Sequence, residues 1–158
     1  MNQPAAFLLI VVFLFGACSS QPAADNRSQN SNSVNSNAVS NLANDNVDEL
    51  RSSIQIPYDP EEVAWRVTAN RIVAVILFTP ENYKTLSSRL NPGEGKQAQV
   101  AVERWFPAEL ITMSEMTGET TIGGTAYPAT NFYQAPYTEG NATLIPETNY
   151  VIVELQAK

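Results

Sequence analysis

The feature that most constrains the fold is an uninterrupted apolar run from Ile72 to Phe78, with the sequence IVAVILF. Most residues in this run are β-branched or aromatic, and the run ends at Thr79 and Pro80. Such a run is typical of a strand buried on both faces, whereas an amphipathic helix carries polar residues at regular intervals. The run therefore predicts a central strand of a sheet.

The residues on either side of this run extend the pattern. Before it, Val63, Trp65 and Val67 alternate with less apolar residues, which is the period of a strand. After it, Thr79-Pro80-Glu81 supplies a hydroxyl cap, a proline at the first helical position and an acid in the first turn. Asn91-Pro92-Gly93 ends this helix. A strand followed directly by a helix is the predicted unit.

The next segments are less uniform. Residues 97–106 fit either a strand or one face of a helix, and both interpretations stay open. Residues 108–116 favour a helix opened by Pro107. Gly123-Gly124 predicts a turn after a short strand over residues 120–122.

The C-terminal residues predict a β-hairpin. Residues 142–145 and 150–155 flank Pro146-Glu147-Thr148-Asn149, which suits a four-residue loop. Together the elements predict the α+β class: a small antiparallel or mixed sheet with one to three helices on one side and a C-terminal β-hairpin. The length over residues 51–158 suits a single domain.

The N-terminal residues predict a signal peptide over residues 1–17. The thirteen residues from Ala5 to Ala17 carry no charge. A membrane-spanning helix needs about 20 apolar residues, whereas the apolar centre of a secretory signal has about 7 to 15. The length therefore favours a signal peptide over a spanning helix.

The end of this stretch, Leu14-Phe15-Gly16-Ala17-Cys18, resembles the lipobox of bacterial lipoproteins. The pattern departs from the family in Phe15, where Leu is commonest, and in the absence of Lys or Arg before the apolar run. The resemblance implies cleavage before Cys18, the only cysteine in the chain, and anchoring to the membrane through acyl chains on that residue. Ser19 after the cysteine implies the outer membrane of the cell envelope.

The segment behind the cysteine has a different composition. Residues 19–50 contain eight Asn and seven Ser among 32 residues, and no aromatic residue. Such a composition buries too little apolar surface to offset the entropy lost on ordering. The sequence therefore predicts a disordered tether over residues 18–50, with a root-mean-square span of about 30 Å.

The charge and the missing residue types exclude several functions. The chain has nine Lys plus Arg against sixteen Asp plus Glu, a net charge of −7, which is unfavourable for a nucleic-acid partner. It contains no His, so His-based triads and His metal ligands are excluded. With Cys18 assigned to the anchor, we expect neither a metal site nor a cofactor.

An aromatic cluster gives the candidate binding residues: Tyr127, Phe132, Tyr133 and Tyr137, close in sequence to Asn and Gln. Tyr and Phe offer a large contact area at low entropic cost, so the cluster could bind a glycan or a peptide. The alternative is that Phe132 and some of the tyrosines fill the core beneath an irregular loop, and this alternative is favoured.

The remaining chemistry comes from carboxylates, which could act as a pair in glycoside hydrolysis. The candidates are Glu103, Glu109, Glu115, Glu119 and Glu139. The leading hypothesis is a non-catalytic, lipid-anchored envelope module that binds a protein, peptidoglycan or a glycan. The alternative is a lipid-anchored carboxylate hydrolase acting on envelope polysaccharide.

Overall fold

The computed structural model describes residues 42–158, so the predicted signal peptide, Cys18 and most of the predicted tether lie outside the described residues. In chain order the elements are α1 (Val47–Ser53), β1 (Pro60–Thr68), β2 (Arg71–Phe78), α2 (Pro80–Arg89), β3 (Lys96–Ala101), α3 (Ala108–Thr117), β4 (Thr121–Pro128), β5 (Tyr137–Leu144) and β6 (Tyr150–Ala157). The strands form one antiparallel sheet in the order β1-β2-β6-β5-β4-β3. The predicted α+β class and the C-terminal hairpin, β5–β6, are confirmed.

The apolar run forms β2, as predicted. This strand lies between β1 and β6, and every residue from Ile72 to Ile76 is buried. Ile72, Ala74 and Ile76 contribute to the core on one face, while Val73 and Val75 contribute to the core on the other. An uninterrupted apolar sequence is required because the strand has no solvent-facing side.

The helices divide between the two faces of the sheet. Leu50 of α1 and Leu86 of α2 pack on one face, here called the α1–α2 face. Leu110 of α3 packs on the opposite face, here called the α3 face, together with Trp105 and Phe106 from the preceding segment. The sequence predicts one to three helices on one side of the sheet. Helices α1 and α2 share a side, and α3 lies on the other.

Helix α2 begins as the sequence predicts. The Thr79 side-chain oxygen accepts the Asn82 N–H at 3.1 Å, and Pro80 occupies the first helical position. The helix ends at Arg89, followed by a 3₁₀ turn at Pro92–Glu94. This turn leads directly into β3.

The folded domain begins earlier than residue 51. The Asn46 side chain accepts the N–H groups of Asp48 and Glu49, which caps α1, and Leu50 is completely buried. The described part of the predicted tether, residues 42–50, is therefore folded. The Asn-rich composition did not predict this helix, because Asn is both a common linker residue and a preferred helix cap.

Two further predictions are corrected. Gly123-Gly124 lies inside β4 rather than in a turn, and a Cβ on Gly124 would approach the Leu144 carbonyl oxygen to 2.7 Å. Glycine serves here for close backbone approach. The ambiguous residues 97–106 divide between β3 and a turn that buries Trp105.

Candidate functional site

The α3 face is covered over only part of its area. Val100 of β3 and Ile122 of β4 are buried in its core. Because alternate residues of a strand share a face, the small side chains of Ala98 and Ala126 lie on the same side but further along the sheet. They line an open concavity of about 590 Å³. Its full lining is Gly93, Glu94, Lys96, Gln97, Ala98, Ala126, Pro128 and Asn141.

This concavity has a small-residue floor and a polar rim. Ala98 and Ala126 leave room above the sheet, while Lys96 and Asn141 supply a cation and an amide. A second concavity of about 290 Å³ shares Asn141 with the first, so the two adjoin. Its lining includes the ion pair between Arg71 and Glu154. We call this continuous surface the open half-face.

Strand β3 forms one border of the open half-face and is an edge of the sheet. The Val102 N–H donates to the Thr120 carbonyl oxygen at 2.9 Å, and alternate residues of an antiparallel ladder direct their backbone groups to opposite sides. Gln97, Gln99 and Ala101 therefore direct theirs away from β4. Within residues 42–158 no backbone hydrogen bond reaches this outer side of β3.

The start of β3 is held by the turn before it and by an aromatic ring. The Asn91 side chain accepts the Gly93 N–H at 3.1 Å. A Cβ on Gly95 would lie 2.8 Å from the Tyr127 ring, so a side chain at this position would have to displace the ring. Tyr127, one of the predicted binding aromatics, therefore lies closely against the residue that precedes β3.

The four predicted binding aromatics lie in or against the core of the α1–α2 face. Phe132 and Tyr137 are 1% and 9% exposed, and Tyr127 and Tyr133 are partly buried against the same core. The Tyr133 hydroxyl donates to the Gly140 carbonyl oxygen at 3.1 Å. Their arrangement is that of the core-filling alternative. None of the four lines either concavity of the open half-face.

Polar neighbours of these aromatics line a separate groove of about 460 Å³. Thr130, Asn131 and Gln134 form one wall, and the end of α1 with the following loop forms the other. The Gln134 side-chain amide donates to the Ser52 carbonyl oxygen at 2.9 Å, which closes part of this groove.

All five candidate carboxylates are exposed. Glu103 accepts the Trp105 indole N–H at 2.6 Å, and Glu139 pairs with Lys158 at 2.7 Å. Glu103, Glu115 and Glu119 line a shallow depression of about 180 Å³. Within residues 42–158 no three His, Cys, Asp or Glu side chains are grouped closely enough to hold a metal ion.

Glu109, the remaining carboxylate, fastens α3 to the sheet. It accepts the Tyr150 hydroxyl at 2.6 Å, and Tyr150 is 3% exposed. Burial raises the pKa of Tyr150 well above its ordinary value, and the hydrogen bond to Glu109 raises it further. This carboxylate therefore has a structural contact at the start of the helix that covers the α3 face.

Sequence reasoning did not identify the open half-face. Ala98 and Ala126 are small residues at positions that continue the inward pattern of Val100 and Ile122. That loss of apolar bulk along two strands is the signal that could have found it. Among residues 42–158 no helix is long and apolar enough to cross a membrane. Comparisons with family descriptions, curated proteins and solved structures gave no match to this chain.

Proposed function

We propose that this protein is a lipid-anchored component of the bacterial cell envelope that binds an extended segment of another envelope protein along β3. The sequence around Cys18 supports the anchor, because it resembles a lipobox and contains the only cysteine. The open half-face supports the binding role. The observation that carries the proposal is that the unpaired edge of β3 borders an open concavity of about 590 Å³.

An extended segment suits this geometry because it can use both features together. Its backbone would pair with the outward groups of Gln97, Gln99 and Ala101, and alternate side chains would enter the concavity above Ala98. None of the residues that line this concavity is aromatic, so it offers no ring on which a sugar could stack. The geometry therefore favours a polypeptide over a glycan.

The energetics require both contributions. A backbone hydrogen bond contributes about 0.5–1.5 kcal/mol net, whereas association costs about 4–15 kcal/mol in lost freedom. The backbone hydrogen bonds of three outward residues offset only part of the cost of association. Contacts of side chains in the concavity must supply the remaining binding free energy. Confinement of both partners to one envelope raises their effective concentration, so that a weak contact is sufficient.

The anchor is tested by labelling cells with a fatty-acid probe. Acyl label on the wild-type protein and its loss in Cys18→Ser are the expected results. An unlabelled wild-type protein in producing cells would contradict anchoring through Cys18.

The binding edge is tested by chemical cross-linking in cells with two matched variants. Gln99→Pro removes an outward N–H donor, whereas Gln99→Ala keeps the backbone intact. We expect Gln99→Pro to lose a partner adduct that wild type and Gln99→Ala both form. Retention of that adduct in the proline variant would contradict the proposed pairing of a partner with the β3 edge.

A further inference from the structure

On the α3 face, Arg66 is a cation for which the described part of the chain, residues 42–158, provides no hydrogen-bonded partner. It is partly buried, and its Nε and Nη2 atoms are both buried without a hydrogen-bond partner within residues 42–158. Its guanidinium carbon lies 5.4 Å from the centre of the Trp105 ring. The side-chain edge that carries Nε and Nη2 presents two parallel N–H groups, which can pair with both oxygens of a planar anion.

The ring contact does not replace the missing hydrogen bonds. An aromatic face attracts a guanidinium, but it accepts no strong in-plane hydrogen bond from Nε or Nη2. A buried charged donor without a partner is strongly disfavoured in folded proteins. Arg66 therefore carries a binding capacity that the described residues leave unused.

The nearby acids are engaged elsewhere or distant. Glu154 lies two strands away, roughly 10 Å by strand spacing, and pairs with Arg71. Glu103 accepts the indole N–H of Trp105. Glu62 shares the strand and face of Arg66 but lies roughly 13 Å along it.

We propose that the Nε and Nη2 edge of Arg66 binds the carboxylate of a small organic ligand, with the Trp105 indole as one wall of the site. A carboxylate is planar and matches the guanidinium fork with two parallel hydrogen bonds. A doubly charged phosphate is disfavoured because Arg66 supplies a single positive charge in a chain whose net charge is −7. This site is separate from the β3 edge and does not depend on the function proposed there.

Binding requires a local shift that exposes Nε and Nη2, since both atoms are buried. The Trp105 ring, 5.4 Å from the guanidinium carbon, would sense such a shift. Trp105 belongs to the segment between β3 and α3, which is held by the bond from the Phe106 N–H to the Glu103 carbonyl oxygen at 3.0 Å. The indole N–H of Trp105 is therefore a reporter of occupancy. Trp65, the only other tryptophan, lies on the α1–α2 face and serves as an internal control.

The test is a titration of the ¹⁵N-labelled chain from residue 18 onward, with Cys18→Ser, followed by NMR. The probes are benzoate, its neutral analogue benzamide, and inorganic phosphate. We expect benzoate alone to give saturable shifts of the Arg66 Nε–H and the Trp105 indole N–H, with no shift of Trp65. Arg66→Lys should weaken benzoate binding about tenfold or more, because lysine lacks the fork. Arg71→Lys is the matched control and should retain it.

Several results would overturn the proposal. These are equal shifts with benzamide, tighter binding of phosphate than of benzoate, or an unchanged affinity in Arg66→Lys. A benzoate titration of wild type without saturable shifts would also overturn it. The comparison of benzoate with benzamide uses wild-type protein, so it stands even where a variant fails to fold.

Discussion

The two edge strands of the sheet, β1 and β3, differ in the hydrogen bonding of their outer sides. At β1, the Trp65 backbone exchanges two hydrogen bonds of 2.9 Å with Asn44, and the Trp65 indole donates to the Asn46 carbonyl oxygen. At β3, no backbone group within residues 42–158 pairs with the outer side of the strand. The β1 edge, here called the closed edge, is thus bonded to its own chain at Trp65, whereas the β3 edge, here called the open edge, has no such bond within residues 42–158.

On the proposed function, this difference separates residues that stabilise the fold from residues that bind a partner along one sheet. Residues around β1 connect α1 to the core, so substitutions there should lower the free energy of unfolding. The outward backbone groups of β3 have no hydrogen bond within residues 42–158, so substitutions that remove them should spare stability and, on the proposed function, reduce binding.

The largest effect is expected at the closed edge. Leu50 of α1 is completely buried, so Leu50→Ala should lower the free energy of unfolding by about 2–5 kcal/mol. Met116→Ala is the control, since Met116 is 83% exposed and its truncation should cost about 0.5 kcal/mol or less. Chemical denaturation measures both. Equal losses would mean that α1 is not part of the core.

The second prediction compares neighbouring positions of the open edge. Ala98 directs its backbone groups toward β4, so Ala98→Pro should cost about 2–3 kcal/mol through a lost ladder bond and local distortion. Gln99 directs its groups outward, so Gln99→Pro should cost about 1 kcal/mol or less. Thermal unfolding distinguishes them. A larger loss in Gln99→Pro would reverse the assigned orientation of β3.

The third prediction compares an asparagine cap near each edge. The Asn46 side chain accepts two N–H groups at the start of α1, so Asn46→Ala should cost about 1 kcal/mol. The Asn91 side chain accepts one N–H in the 3₁₀ turn before β3, so Asn91→Ala should cost less. Denaturant midpoints measure both variants. A greater loss of stability in Asn91→Ala than in Asn46→Ala would contradict the proposed difference between the edges.

The smallest effect concerns a tyrosine beside the closed edge. The Tyr58 hydroxyl is buried without a partner within residues 42–158, so Tyr58→Phe should leave stability unchanged or raise it by up to about 1 kcal/mol. Tyr133→Phe removes a made hydrogen bond and should lower stability by about 1 kcal/mol. Calorimetry of both variants tests this, and a marked loss in Tyr58→Phe would reveal a partner for that hydroxyl.

Local signals predicted the fold where they agreed with tertiary packing. The run from Ile72 to Phe78 predicted an interior strand because a strand covered on both faces requires apolar residues throughout. Thr79 and Pro80 predicted the helix start because capping is a short-range interaction. The Gly123-Gly124 pair by itself indicates a turn, since sequence alone does not show that Leu144 approaches Gly124 closely.

The candidate site was less predictable from sequence because it depends on which part of the sheet no helix covers. The open half-face arises where α3 ends its coverage, and helix placement over a sheet is set by tertiary contacts rather than by local pattern. The aromatic cluster was conspicuous in the sequence, yet Phe132 fills the core. Ala98 and Asn141, far apart in sequence, become neighbours of one concavity only after β3, β4 and β5 pair.

The most direct test of the central claim is photo-cross-linking in cells from one position on each edge. A photoreactive residue at position 99 probes the open edge, and one at position 67, where Val67 is 47% exposed, probes the β1 edge. The account predicts an adduct from position 99 that maps to one extended segment of a single envelope protein, and no such adduct from position 67. The same adduct from both positions, or none from position 99, would contradict it.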